Sequence, residues 1–210
     1  MSTILIARHG NTFSTGQTVV RVGVNSDLPL SSSGQQQAER LGQYLKHNNI
    51  KPTIVFTSNL KRTKETATIA LLTASLDIPV VALSMFDEID YGPDEGKTND
   101  QVIARIGSKA LQNWEDFAIP PNGWLIDKEQ IINNWRNFAK QVIDQFNMQK
   151  VLVITSNGIA RFAPYITEDF LGFTKRFEIK LATGAIGSLS YKDKSWKIDF
   201  WNEAPLAEEK

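Results

Sequence analysis

The apolar run Ile4-Leu5-Ile6-Ala7 stops abruptly at Arg8-His9-Gly10. A short unbroken run of this kind reads as a buried strand of a parallel sheet. A cation, an imidazole and a glycine then stand at its C-terminal end, where an open α/β sheet gathers its ligands. The chain has two histidines, His9 and His47. Only His9 has this setting; His47 lies among Lys46, Asn48 and Asn49 at the polar end of a predicted helix.

Further apolar runs recur with helical stretches between them. Residues 3–8, 53–57 (TIVFT), 79–83 (PVVAL) and 151–155 (VLVIT) read as strands. Ser31–Ser33 offer N-caps for a helix with Ala38, Leu41, Tyr44 and Leu45 on one face, ended by Asn48-Asn49. Residues 60–74 form a second helix. Ile186–Tyr191 and Trp196–Trp201 alternate as an antiparallel pair, with Asp193-Lys194 as turn material. This order predicts an α/β fold: a mostly parallel central sheet with helices on both faces. Residues 97–148 are helical in pattern, interrupted by Pro120-Pro121-Asn122-Gly123. They read as a helical insertion over the strand ends, a candidate lid, with one more covering layer as the plainer alternative. Trp114, Trp124 and Trp135 read as packing residues. The tail Ala207–Lys210 is expected to fray.

With 210 residues, 41% of them hydrophobic, residues 1–210 are expected to form a single domain with a substantial core. Lys+Arg and Asp+Glu both number 23, so no cationic surplus argues for nucleic acid. The absence of cysteine excludes disulfides and thiolate metal sites, and two histidines argue against a histidine-rich metal centre. No signal segment or membrane-length apolar run is present. The expectation is a soluble cytoplasmic protein without metal or organic cofactor; an oligomer stays open.

Four features fall near predicted strand ends: Arg8-His9-Gly10, Arg62, the acidic stretch Asp87-Glu88-Ile89-Asp90, and Ser156-Asn157-Gly158. Together they describe a phosphate pocket. The guanidinium fork matches phosphate oxygens. A neutral imidazole between two arginines can attack phosphorus. A protonated carboxyl can give its proton to the departing alkoxide. Within the acidic stretch, Glu88 is favoured over Asp87 and Asp90.

The chain also resembles the histidine phosphatase superfamily, the phosphoglycerate-mutase-like proteins. The signature Arg-His-Gly-x-Thr is present as Arg8-His9-Gly10-Asn11-Thr12. A second pattern is carried by Asp27, Pro29, Leu30, Ser31, Gly34, Gln37 and Ala38. A third is carried by Ser58, Leu60, Arg62, Thr63, Thr66 and Ala67, and a fourth by Glu88, Ile89, Gly92 and Gly96. Trp201-Asn202 looks like the family's closing residues. Each motif is weak alone; four in order are strong. The resemblance implies a phosphoglycerate-mutase-like three-layer α/β/α fold. It makes His9 the phosphorylated nucleophile and Glu88 the acid/base. Arg8 and Arg62 would hold the phosphoryl group, with Asn11 and Thr12 bordering the substrate.

One departure stands out. The family places a second histidine after the late strand, in Ser-His-Gly, where this chain has Ser156-Asn157-Gly158. Asn157 still offers an amide donor to phosphate, but a neutral one. Trading a charged for a neutral hydrogen bond costs on the order of 1 kcal/mol, roughly tenfold in rate if felt only in the transition state. The expected function is a phosphatase that hydrolyses a small phosphate monoester, with inorganic phosphate as product. A catalytically weak phosphate-ligand-binding or regulatory protein is the alternative that Asn157 motivates. A phosphoglycerate mutase is less favoured, because residues 110–116 lack the cations that would clamp a second anionic group. Ser156 lacks the flanking glycine of a serine-hydrolase nucleophile elbow.

Overall fold

The structure is a computed structural model that describes residues 1–205; the expectation for Ala207–Lys210 lies outside them. The first apolar run forms strand β1 (Thr3–Arg8). Strands β2 (Ile54–Thr57), β3 (Val80–Ala82) and β4 (Lys150–Thr155) run parallel to it. Strands β5 (Ile186–Lys192) and β6 (Ser195–Glu203) close the sheet as an antiparallel hairpin. The hairpin turns on Asp193 and Lys194, both with positive φ, 52° and 62°. Paired left-handed residues give the turn whose twist matches the strands. The order across the sheet is β3-β2-β4-β1-β5-β6, with β1 and β4 at the centre.

The two-residue period of β1 divides the core. Leu5 and Ala7 pack with Leu41 and Leu45 of helix α1 (Ser32–His47) and with Ala67, Ala70 and Leu71 of helix α2 (Lys61–Ala74). Ile4 and Ile6 share the opposite core with Ile132, Trp135 and Phe138 of helix α5 (Lys128–Gln145). An α/β/α sandwich results, because a strand apolar on both faces requires cover on both. Ser31 caps α1 by accepting from Gly34 N, as its position in the sequence predicts. β3 lies within the 79–83 stretch read as a strand, and is shorter than it. It is a three-residue edge strand with exposed side chains.

The insertion comprises α3 (Asn99–Ile106), α4 (Ser108–Phe117) and α5. Helix α5 is a covering layer, and Trp135 and Phe138 wedge Phe86 at centroid distances of 5.2 and 5.1 Å. Helix α4 instead brings Trp114 and Glu115 to a cavity at the strand ends. Two short helices that the sequence pattern did not suggest follow β4: α6 (Asn157–Ala160) and α7 (Phe170–Thr174).

Candidate active site

β1 and β4 end side by side, with Arg8 in register with Thr155. The segments leaving them, 9–12 and 156–161, therefore start as neighbours. His9 N donates to Thr155 O at 3.1 Å, which fixes the imidazole above this pair of strand ends. Gly10 is where the chain turns against the start of α1. A Cβ there would lie 2.3 Å from Gly34 O, and one on Gly34 would lie 2.1 Å from Asn11 O. Only two glycines allow this approach. It lets the first turns of α1 hold the loop, with Gln37 Oε1 accepting from Asn11 N at 2.7 Å and Ser33 Oγ from Asn11 Nδ2 at 3.3 Å.

His9 is 6% exposed, and its Nδ1 lies 2.7 Å from Gly10 O. A carbonyl only accepts, so Nδ1 carries the proton and Nε2 presents a lone pair. Burial, followed by the charges of Arg8 and Arg62, drives the imidazole pKa well below its ordinary value. His9 is thus a neutral imidazole under the charges of two arginines, with a lone pair on Nε2.

Arg62 is fully buried in the first turn of α2. Its Nη1 and Nη2 donate to Ser26 O and Gly23 O at 2.7 and 3.2 Å. Arg8 Nη1 donates to Leu181 O at 3.0 Å. The Nε of each arginine is buried without a hydrogen-bond partner. Unused donors on one buried and one half-buried guanidinium suit a polyanionic ligand. Arg62 does a second job, because residues 13–30 form no helix or strand. That segment is pinned by Arg62, by Asp27 accepting from Lys61 N and by Glu95 accepting from Gly23 N and Ser26 Oγ.

Glu88 is 7% exposed. Its Oε1 accepts from Ile89 N at 2.9 Å and its Oε2 from Gly158 N at 3.3 Å. Burial raises its pKa, against the opposing pull of these amides and of Arg62 and Arg8. The other acids of the stretch are occupied elsewhere. Asp87 accepts from Asn59 N and Nδ2, and Asp90 from Gly92 N. Asn157 opens α6, and its Oδ1 accepts from Leu181 N at 2.9 Å. With the oxygen so committed, the amide nitrogen remains as the donor.

Arg8, His9, Asn11, Thr12, Arg62, Glu88 and Asn157 all line one cavity of about 620 Å³. His47 is exposed at the end of α1 and lines no part of it. Sequence reasoning missed Arg21, Tyr91, Glu115 and Arg161 as lining residues, and took Trp114 for packing alone. Trp124 and Trp135 are core residues as read, with indole nitrogens donating to Asp94 and to Ile159 O. Arg161 lies four residues after Asn157, but at the end of a helix too short for the sequence to show a period. Among the described residues, no group of three or more His, Cys, Asp or Glu is arranged to hold a metal ion. Among the described residues, no helix is long and apolar enough to cross a membrane.

The sequence profile of the histidine phosphatase superfamily (branch 1) matches residues 4–204. The uncharacterized phosphatase PhoE of Bacillus subtilis is 26% identical over 202 residues, covering 96% of this chain and 95% of PhoE. A 2,3-bisphosphoglycerate-dependent phosphoglycerate mutase of Thermobifida fusca is 35% identical over 141 residues. That match covers 66% of this chain and 56% of the mutase, so this chain spans little more than half of the mutase's length. Among solved structures, a mycobacterial glucosyl-3-phosphoglycerate phosphatase with inorganic phosphate superposes with a TM-score of 0.77. It is 19% identical and covers 98% of this chain and 99% of its own, a likeness of fold.

Proposed function

The chain belongs to the histidine phosphatase superfamily, branch 1, and on that premise we propose that it is a phosphatase that hydrolyses a small phosphate monoester through a phosphohistidine on His9. The observation that carries this reading is the neutral His9, with Nε2 unprotonated, on one cavity wall with Arg8, Arg62 and Glu88.

In the first step His9 Nε2 attacks phosphorus, and the bond from phosphorus to the ester oxygen breaks. The Glu88 carboxyl, whose pKa burial raises, enters the step protonated and gives its proton to the departing oxygen. Arg8 and Arg62 offset the charge on the transferring phosphoryl oxygens. In the second step Glu88, now a carboxylate, takes a proton from water as the water oxygen attacks the phosphohistidine. The N–P bond breaks, inorganic phosphate leaves, and both residues return to their starting states. Asn157 donates to the phosphoryl group as a neutral partner, while Asn11 and Thr12 border the substrate. Full-length likeness to a phosphatase, and only partial likeness to mutases, supports hydrolysis over isomerisation.

The test is phosphate release from a broad panel of esters across pH, for this protein and for His9→Ala. Turnover that disappears in His9→Ala, with a phosphohistidine trapped by acid quench in the unaltered protein, is the expected result. Robust turnover that survives His9→Ala would overturn the mechanism. Phosphate-ester binding without turnover would favour the ligand-binding alternative.

A further inference from the structure

The cavity holds more positive charge than phosphoryl transfer uses. Besides Arg8 and Arg62 it is lined by Arg21 and Arg161, with Lys180 at its edge. Arg161 is 1% exposed, and its guanidinium stacks over the Trp114 ring at 3.9 Å. Its Nη1 donates to Trp114 O at 2.6 Å and its Nε to Asn157 O at 3.3 Å. Arg21 comes from the opposite side, packed over the Tyr91 and Trp124 rings at 5.4 and 4.9 Å, and its Nε is buried without a partner. Trp124 packs edge-on against Tyr91 at 4.7 Å and against Trp114 at 5.3 Å, so the rings that carry Arg21 and Arg161 form one cluster.

We propose that Arg21 and Arg161, gathered around Tyr91 and Trp114, form a second anion subsite that selects phosphate monoesters whose leaving group carries a carboxylate or a second phosphate. The inference rests on the phosphatase reading for which end of the substrate meets His9. A cavity of about 620 Å³ has room for a metabolite-sized leaving group beyond the phosphoryl group. Arg161 is held by ring stacking and two backbone carbonyls, and Arg21 by two rings and by Asn99 Oδ1, which accepts from its Nη2 at 3.4 Å, so an anion gains their charge at little entropic cost. Glu115 is the weak counter-ion of Arg161. Its carboxylate stands 3.6 Å from Arg161 Nη2, beyond hydrogen-bond distance, and is 34% exposed. A substrate anion displaces it toward solvent.

The experiment is titration calorimetry on the full chain carrying His9→Ala, with ligand pairs that differ mainly in the second anion. 3-Phosphoglycerate against glycerol 3-phosphate tests a carboxylate, and fructose 1,6-bisphosphate against fructose 6-phosphate tests a second phosphate. The anionic member of at least one pair is expected to bind about tenfold to a hundredfold tighter. Adding Arg161→Met should abolish that preference while leaving glycerol 3-phosphate affinity within about threefold. Arg21→Met should reduce it, and serves if the Arg161 variant does not fold. Glu115→Gln should widen it. Equal binding within both pairs, or equal weakening of both members by Arg161→Met and by Arg21→Met, would overturn the proposal. A preference in a protein that hydrolyses no ester would keep the subsite and reject the phosphatase reading. Hydrolysis without a preference would do the reverse.

Discussion

Replacing Gly158 by alanine tests the assignment of Glu88 without touching either reacting side chain. A Cβ at position 158 would lie 2.1 Å from Glu88 Oε1 and 2.8 Å from Ile89 Cγ1. Ordinary contact begins more than an ångström further out, so the carboxyl must retreat from a position that two backbone amides define, Ile89 N at 2.9 Å and Gly158 N at 3.3 Å. Overpacking of this sort costs about 1–3 kcal/mol of stability. Misplacing a catalytic group by about an ångström costs on the order of a hundredfold in rate, within the range that acid–base catalysis contributes. The loss should depend on the leaving group. An alkyl phosphate needs a proton as it departs, whereas p-nitrophenolate leaves as an anion. In rapid-mixing experiments Gly158→Ala is therefore expected to retain a burst of nitrophenol from p-nitrophenyl phosphate, followed by a slowed steady state. Alkyl ester turnover should fall about a hundredfold, with little change in KM. Unchanged alkyl ester turnover in a folded variant would refute the role of Glu88. Loss of the nitrophenol burst would mean that the change disturbs His9 rather than the acid.

The other expectations follow from the same geometry. Gly10→Ala puts a Cβ 2.3 Å from a backbone oxygen that cannot rotate away, and should lower stability by about 1–3 kcal/mol in thermal unfolding while displacing His9. Alkyl ester turnover should be retained at acid pH, because the lowered His9 pKa keeps the nucleophile neutral there. It should fall as pH rises through the raised Glu88 pKa, and Glu88→Gln should remove that alkaline limb from the kcat profile. The His9 shift also has a stability sign: an imidazole neutral in the fold gains a proton on unfolding. Stability should be lost as pH falls below about 6.5, and His9→Ala should blunt that loss in chemical denaturation. Arg62→Met removes both a phosphoryl donor and the tethers to Ser26 and Gly23, so it should weaken phosphate binding and speed proteolysis within residues 13–30.

The fold was legible where hydrophobic period alone decides it. Apart from the threonines Thr3 and Thr155, β1 and β4 bury only apolar residues, so their place at the sheet's centre follows from composition. The convergence of Arg8, Arg62, Glu88 and Asn157 was legible for a related reason: parallel strands put their C-terminal ends on one side. β3 was legible as a strand but its exposure was not, because burial of Val80 and Val81 depends on a neighbour that the sheet edge does not provide. Arg21 lies in a segment with no regular structure, pinned by single side chains from distant elements. Arg161 sits after a four-residue helix, too short to show a period. Tertiary hydrogen bonds place both residues, and one-dimensional patterns do not encode such bonds.

The same bonds change what Asn157 means. On the family resemblance, asparagine here gives up a charged donor, and restoring histidine should gain roughly tenfold in rate. The Leu181 amide complicates that expectation, because it donates to Asn157 Oδ1 at 2.9 Å. A histidine that kept this bond would accept it on Nδ1 and offer its other nitrogen as a neutral donor, much as asparagine does. A histidine carrying full charge has no acceptor, so it would leave the Leu181 amide unpaired, at a cost of about 1–3 kcal/mol. Rate and stability should therefore move in opposite directions in Asn157→His, with any gain confined to pH below the new imidazole's pKa. Kinetics and thermal unfolding measured on the same samples across pH would check this. A pH-independent gain without loss of stability would show that the Leu181 contact does not constrain position 157.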